Sequence, residues 1–226
     1  MNKFAIIVAG GSGTRMGAPV SKQYLEIGGK PILMHTLEVF YNTIPDIRLI
    51  LVVPENDFGF WDELCQKYRF LISHSVVKGG YSRFQSVKNG LDSIRQVEGL
   101  VAIHDGVRPF VNPEVIMESF EISEKNGSAI AVVELKDSLR KLTDDGKSFF
   151  QERQNFRLVQ TPQTFLLSKI KKAFEVTELQ HFTDDATVYE HQGWQVELIS
   201  GNSENIKITS PEDMVYADFL IRNRGH

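Results

Sequence analysis

Five short, mostly apolar runs dominate the first 133 residues: Phe4–Ala9, Leu49–Val53, Ile72–Val77, Leu100–Ile103 and Ala129–Val133. Runs of this length suit strands buried on both faces, the environment of a parallel sheet covered by helices. The stretches between them carry a different period. Ile32, Leu33, Thr36, Leu37 and Phe40 share one helical face. Phe60, Trp61, Leu64, Cys65 and Tyr68 share another, as do Val87, Leu91 and Ile94. Val115, Ile116, Ser119, Phe120 and Ser123 give a weaker one. Strands alternating with helices make βαβ units. The chain is therefore expected to be an α/β protein with a mostly parallel, twisted sheet flanked by helices.

The pattern breaks after Val133. Residues 134–160 are polar with scattered charges, and Asp145-Gly146 between Ser138–Leu142 and Ser148–Glu152 is a strong hairpin signal. We expect a projecting β-arm over 134–160, inserted into a single domain spanning 1–226. The arm looks too polar to pack inside its own domain. A lone hairpin is marginal in water, and a second copy of the arm in a two-fold homodimer is the simplest partner. Beyond it the sequence suggests a helix over Leu166–Phe174 and a short helix opening near Thr183. Strands over Gln195–Ile199 and Asn205–Ile208 follow. A last helix starts at Pro211, with Ser210 as its cap.

Composition narrows the function classes. The chain has 29 acidic and 25 basic side chains, net charge -4. A nonspecific nucleic-acid binder needs the opposite balance to displace counterions. A small anionic ligand remains compatible, because a few cations can be focused into one cleft. The single cysteine, Cys65, allows no intrachain disulfide. Phe4–Ala9 is too short for a signal peptide's apolar region or a membrane span. These features lead us to expect a cytoplasmic protein without a membrane partner. The six histidines show no zinc-ligand spacing.

The first strand runs into Ala9-Gly10-Gly11-Ser12-Gly13-Thr14-Arg15-Met16, with Lys22 seven residues after Arg15. Glycines let backbone amides line an anion-binding concavity, and the two cations can face the same triphosphate. Two familiar phosphate motifs fail here. A dinucleotide fingerprint begun at Gly11 and Gly13 meets Met16 at its third position, and the P-loop pattern ending at Gly29-Lys30 has Tyr24 and Pro31 where it needs glycine and a hydroxyl. A second glycine turn, Gly79-Gly80, precedes Ser82, a helix-cap candidate. Asp105 follows the Leu100–Ile103 run, after His104. A carboxylate at the carboxyl end of a parallel strand lies where open α/β sheets bind ligands, and its hard oxygens suit Mg²⁺.

Gly11-Ser12-Gly13-Thr14-Arg15-Met16 with Lys22-Gln23-Tyr24-Leu25 resembles the sugar-nucleotide pyrophosphorylase-like superfamily. More narrowly it resembles the 2-C-methyl-D-erythritol 4-phosphate cytidylyltransferase family of non-mevalonate isoprenoid synthesis. Matching segments run from Ala9 to Glu212. Ser21 stands where that family usually has proline, and Tyr81 where it often has aspartate. The resemblance implies a Rossmann-like nucleotidyltransferase fold, CTP and a small sugar-alcohol phosphate as substrates, Mg²⁺, and a homodimer joined by the arms. It implies Arg15, Lys22 and Lys207 as catalytic cations. Ala9, Gly10, Gly11, Gly13, Gly80, Arg83, Ser86 and Gly106 would hold the nucleotide. Asp105, Arg108, Thr161 and Thr183 would hold the second substrate, with Asp105 also on the metal. Ser138 and Arg153 would reach the neighbouring subunit's sugar phosphate. Other readings stay in view: a ribitol 5-phosphate cytidylyltransferase, a non-catalytic nucleotide sensor on the same fold, and, more distantly, a nicotinamide dehydrogenase. The Glu152-Arg153 pair favours the methylerythritol reading over ribitol, and the retention of Arg15 and Lys22 speaks against a sensor.

Overall fold

The computed structural model describes residues 1–10 and 21–223. The expected runs become β1 (Lys3–Val8), β4 (Arg48–Val53), β5 (His74–Lys78), β6 (Leu100–Asp105) and β7 (Ser128–Glu134). A small β2–β3 hairpin (Glu26–Ile27, Lys30–Pro31) lies before the first helix. The helical faces become α1 (Ile32–Thr43), α2 (Phe58–Lys67), α3 (Arg83–Ser93) and α4 (Pro113–Asn126). Next come the separate hairpin β8–β9 (Leu139–Leu142, Ser148–Gln151), the long strand β10 (Arg157–Leu166) and α5 (Leu167–Ala173). The chain finishes with α6 (Asp185–Glu190), β11 (Leu198–Ser200) and α7 (Pro211–Asn223).

The seven-stranded sheet runs β11-β7-β10-β6-β1-β4-β5. All its neighbours pair parallel except β10, which is antiparallel to both β6 and β7. Alternate strand residues feed two cores. Ala5, Ile7, Leu49, Leu51 and Ala102 pack with α1, α2 and α4 on one face. Phe4, Ile6, Ile50, Val52 and Ile103 pack with α3, α5 and α6 on the other. Both faces are buried, so each fully buried aliphatic side chain contributes about 1.5–3 kcal/mol. This explains why the strands read as continuous apolar runs.

Three expectations change. Residues 157–160, counted above with the arm, belong to β10 in the main sheet. That strand escapes an apolar search because it buries Gln160, Thr161, Gln163 and Thr164, and its register shifts between Val159 and Gln163. No strand forms over 205–208; the segment is held by Ile208 N–H donating to Val107 O at 3.0 Å and by the Asn205 side chain. The short helix expected to open near Thr183 opens at Asp185, capped by the Asp184 carboxylate, which accepts from Thr187 N at 3.0 Å, and Thr183 is exposed outside it.

Candidate active site

From β1 the chain moves outward through β4 to β5, then returns to β6 on the other side of β1. The carboxyl ends of β1 and β6 therefore flank the topological switch point, where open α/β sheets bind ligands. A cleft of about 440 Å³ opens there. Its lining brings together Ala9, Gly10, Lys22, Gly80, Arg83, Ser86, Asp105 and Lys207, eight of the residues expected from sequence. Gly11, Gly13 and Arg15 lie outside the described residues.

Close packing shapes the floor. Gly106 N–H donates to Val8 O at 2.8 Å, and a side chain at Gly106 would meet Ala9 Cβ at 2.9 Å. Gln23, buried beside Lys22, donates from Nε2 to Ala9 O at 2.9 Å and so ties the lysine's short helical turn to the end of β1. On the opposite wall, Ser82 caps α3 by accepting from Gln85 N at 3.0 Å. Ser86 Oγ accepts from Gly80 N at 3.0 Å and donates to Ser82 O at 2.8 Å. Tyr81 stands on the rim, 87% exposed.

Asp105 is the electrostatic centre. Its Oδ2 receives Arg108 Nε at 3.1 Å and Lys207 Nζ at 3.2 Å, while Oδ1 has the looser contact, 3.7 Å from Arg83 Nε. Burial would raise its pKa. The opposing pull of Arg83, Lys207 and Arg108 outweighs burial and holds the carboxyl well below the usual range. One carboxylate with an oxygen so placed suits a divalent ion that takes its other ligands from phosphates and water. A metal held by protein alone does not fit, because the described residues contain no cluster of three or more acidic, histidine or cysteine side chains able to hold one.

Several expected contacts serve the scaffold. Arg108 also donates to Asn205 O at 2.8 Å and is largely buried. Thr161 is buried behind Asp105, where its Oγ1 accepts from Asp105 N at 3.1 Å. Arg83 turns both Nη atoms onto Asp185, at 2.8 and 2.7 Å. Burial works against the guanidinium charge, but Asp185 and then Asp105 hold it firmly protonated. Buried His104 rests its Nε2 on Arg108 O at 3.0 Å; desolvation lowers its pKa to about 4, so it is neutral at pH 7. Ser138 and Arg153 are exposed near the base of the hairpin and do not line the cleft of their own chain.

Sequence reasoning missed Asp185, Gln163 and Asn205, all buried. Asn205 Nδ2 donates to Thr161 O at 2.8 Å, fastening the segment that carries Lys207 to β10. The available signal was an asparagine two positions before that lysine. Asp185 resembled any acid in the first turn of a helix.

Residues 4–223 match the family described as 2-C-methyl-D-erythritol 4-phosphate cytidylyltransferase (IspD). The chain belongs to this family. An IspD-family relative of that name from Bacteroides thetaiotaomicron is 47% identical over 221 residues, covering 98% of this chain and 100% of its own. Another, from Phocaeicola vulgatus, is 45% identical with the same coverage. Among solved IspD-family structures, 4-diphosphocytidyl-2C-methyl-D-erythritol synthase from Anaerococcus prevotii superposes with a TM-score of 0.85 at 30% identity, covering 98% of this chain and 96% of that one. The 2-C-methyl-D-erythritol 4-phosphate cytidylyltransferase of Thermus thermophilus gives 0.79 at 27%, covering 98% and 100%. The α/β fold with its largely parallel sheet is thus that of the IspD enzymes.

Proposed function

We propose that this chain transfers the cytidylyl group of CTP to 2-C-methyl-D-erythritol 4-phosphate, releasing pyrophosphate. The observation carrying this reading is the switch-point cleft lined by Lys22, Lys207 and Asp105, with Lys207 Nζ 3.2 Å from the Asp105 carboxylate. The names of the IspD relatives supply the substrate identities.

In this reaction a phosphate oxygen of the methylerythritol phosphate attacks the α-phosphorus of CTP. The bond from that phosphorus to the bridging oxygen breaks, and pyrophosphate departs with the electron pair. No covalent protein intermediate is required. The chain's contribution is alignment of two anions and neutralisation of charge at the α-phosphate. Lys22 and Arg15 would stabilise that charge. Gly10, Gly80 and Ser86 form the wall for the nucleoside. Lys207 would exchange its contact with Asp105 for a substrate phosphate, and Asp105 would hold the metal. Bound there, Mg²⁺ would draw negative charge from the triphosphate.

The reading includes a homodimer in which Ser138 and Arg153 complete the partner's cleft. Support comes from the hairpin itself: Leu142, Phe149 and Phe150 are 74%, 54% and 66% exposed, an apolar surface left in water by the single chain. No described helix is long and apolar enough to cross a membrane. A cytoplasmic setting belongs to the same proposal, and the free thiol of Cys65 supports it.

The deciding experiment measures pyrophosphate release for four nucleoside triphosphates against a panel of sugar and polyol phosphates with Mg²⁺. CTP with methylerythritol phosphate should be the fastest pair. Equal or faster turnover of ribitol 5-phosphate would reassign the substrate and leave only the reaction class.

A further inference from the structure

Asp185 opens α6 fully buried, and its carboxylate accepts two bonds from Arg83: Nη1 to Oδ1 at 2.8 Å and Nη2 to Oδ2 at 2.7 Å. Such a pair ties α6 to α3 and could be a strut alone. A strut does not account for the third nitrogen. Arg83 Nε faces Oδ1 of Asp105 at 3.7 Å, beyond hydrogen-bonding distance, and the same side chain lines the cleft. One guanidinium thus stands between two carboxylates, fully engaged with one and held short of the other.

That gap is set by the scaffold. Gln163 on β10 donates from Nε2 to Asp184 Oδ2 at 2.9 Å and accepts from Ala186 N at 2.9 Å, so it grips the start of α6 on both sides of Asp185. Two residues earlier on the same strand, Thr161 Oγ1 accepts from the Asp105 amide at 3.1 Å. β10 therefore positions both carboxylates, and with them the space in which Arg83 sits. Oδ2 of Asp105 is already occupied by Arg108 and Lys207. Oδ1 is the oxygen left for a ligand.

We propose that Asp185 is a positioning residue that restrains the Arg83 guanidinium and so keeps Oδ1 of Asp105 open for substrate or metal. A two-bond carboxylate–guanidinium pair is stronger and more directional than a single charged contact. With Asp185 in place, Arg83 stays on α6. With Asp185 neutralised, Asp105 is the carboxylate among the described residues that still lies within ion-pair distance of Arg83, and the guanidinium closes onto Oδ1. The role rests on the cytidylyltransferase reading.

The test compares wild type, Asp185→Asn and the double variant Asp185→Asn/Arg83→Gln, each followed by thermal unfolding. Asparagine still accepts from Arg83, and the double variant replaces the buried ion pair with two neutral amides. Asp185→Asn should lower kcat by about tenfold or more, while the Kd for CTP measured without Mg²⁺ and without the second substrate stays within about threefold of wild type. The double variant should exceed the single one in kcat by about fivefold, because the obstructing cation is gone. A plain strut predicts no such rescue, and a double variant no faster than the single one overturns the role. If the single variant does not fold, the double variant decides: a kcat within about thirtyfold of wild type upholds the proposal, and a lower value overturns it. Inactive wild-type protein overturns the cytidylyltransferase reading and this role with it. Active wild type with an unimpaired Asp185→Asn overturns this role alone.

Discussion

An aspartate grips a basic side chain at two very different places in this molecule. On the hairpin, Lys147 Nζ lies 2.6 Å from Asp145 Oδ2, with both side chains more than half exposed. Beneath the cleft, Arg83 meets Asp185 at almost the same distance, with the carboxylate sealed from water. Water screens the first pair and competes for each partner, so it adds little. Around the second, an unpaired charge would be stranded, and removing one partner of a buried pair costs about 3–5 kcal/mol. The cleft's charges are thus fixed by the chain that owns them. Ser138 and Arg153 at the hairpin's base have far less behind them: among the described residues the Arg153 side chain donates to the Lys136 carbonyl alone. A side chain so weakly held becomes useful when a second body restrains it.

The widest separation between the two regions should appear in kinetics. Lys22→Ala is expected to lower kcat by about 100-fold or more, as for loss of one preorganised transition-state donor, and Arg15→Ala by a similar amount. Lys147→Ala should leave kcat unaltered. Steady-state rates at saturating CTP make the comparison, and near-normal turnover by Lys22→Ala would break it. Asp105→Asn comes next. It should reduce kcat by at least about tenfold and weaken the dependence on Mg²⁺, since a neutral amide is a poorer ligand for a hard cation. Wild-type activity that survives excess chelator would remove the metal from this account.

The hairpin has its own test. Lys22→Ala and Arg153→Ala proteins, each expected to be nearly inactive, are mixed under conditions of subunit exchange. Shared sites give mixed dimers with one intact site, so activity should climb toward about a quarter of wild type. Proven exchange without recovery would confine each active site to one chain. The smallest effect is expected at Asp145→Asn, where thermal unfolding should show no resolvable shift in Tm. A clear shift would mean that the hairpin pair is shielded, by a partner or otherwise, and would erase the contrast drawn here.

The same contrast governs what the sequence discloses. β1, β4, β6 and β7 are legible because both their faces are apolar, and the capping sequence Ser210-Pro211 announces α7, where Ser210 Oγ accepts from Asp213 N at 3.3 Å. Lys22 and Asp105 could be named because each follows a recognisable segment, whereas Lys207 is reached only through the family resemblance, since the strand expected around it does not form. β10 is illegible for a physical reason. Its buried stretch carries Gln160, Thr161, Gln163 and Thr164, satisfied by partners such as Asn202, Asp105, Asp184 and Ser119 that are remote in sequence. Periodicity records burial of apolar groups, not hydrogen bonds made across the fold. Asp185 hides likewise, because its partner Arg83 is 102 positions away.

The place of β10 between β6 and β7 also bears on how the chain is made. β6 and β7 leave the ribosome first, yet neither can complete its ladder until residues 157–166 arrive to pair with both. Until then two apolar strands wait with open edges, the condition that invites pairing with other chains. A chain stopped near residue 156 is expected to aggregate rather than fold as a smaller α/β unit. Asp105 meanwhile lacks the Thr161 hydroxyl that receives its amide. The cleft is therefore completed late in biosynthesis, once Lys207 has followed the strand that joins the two halves of the sheet.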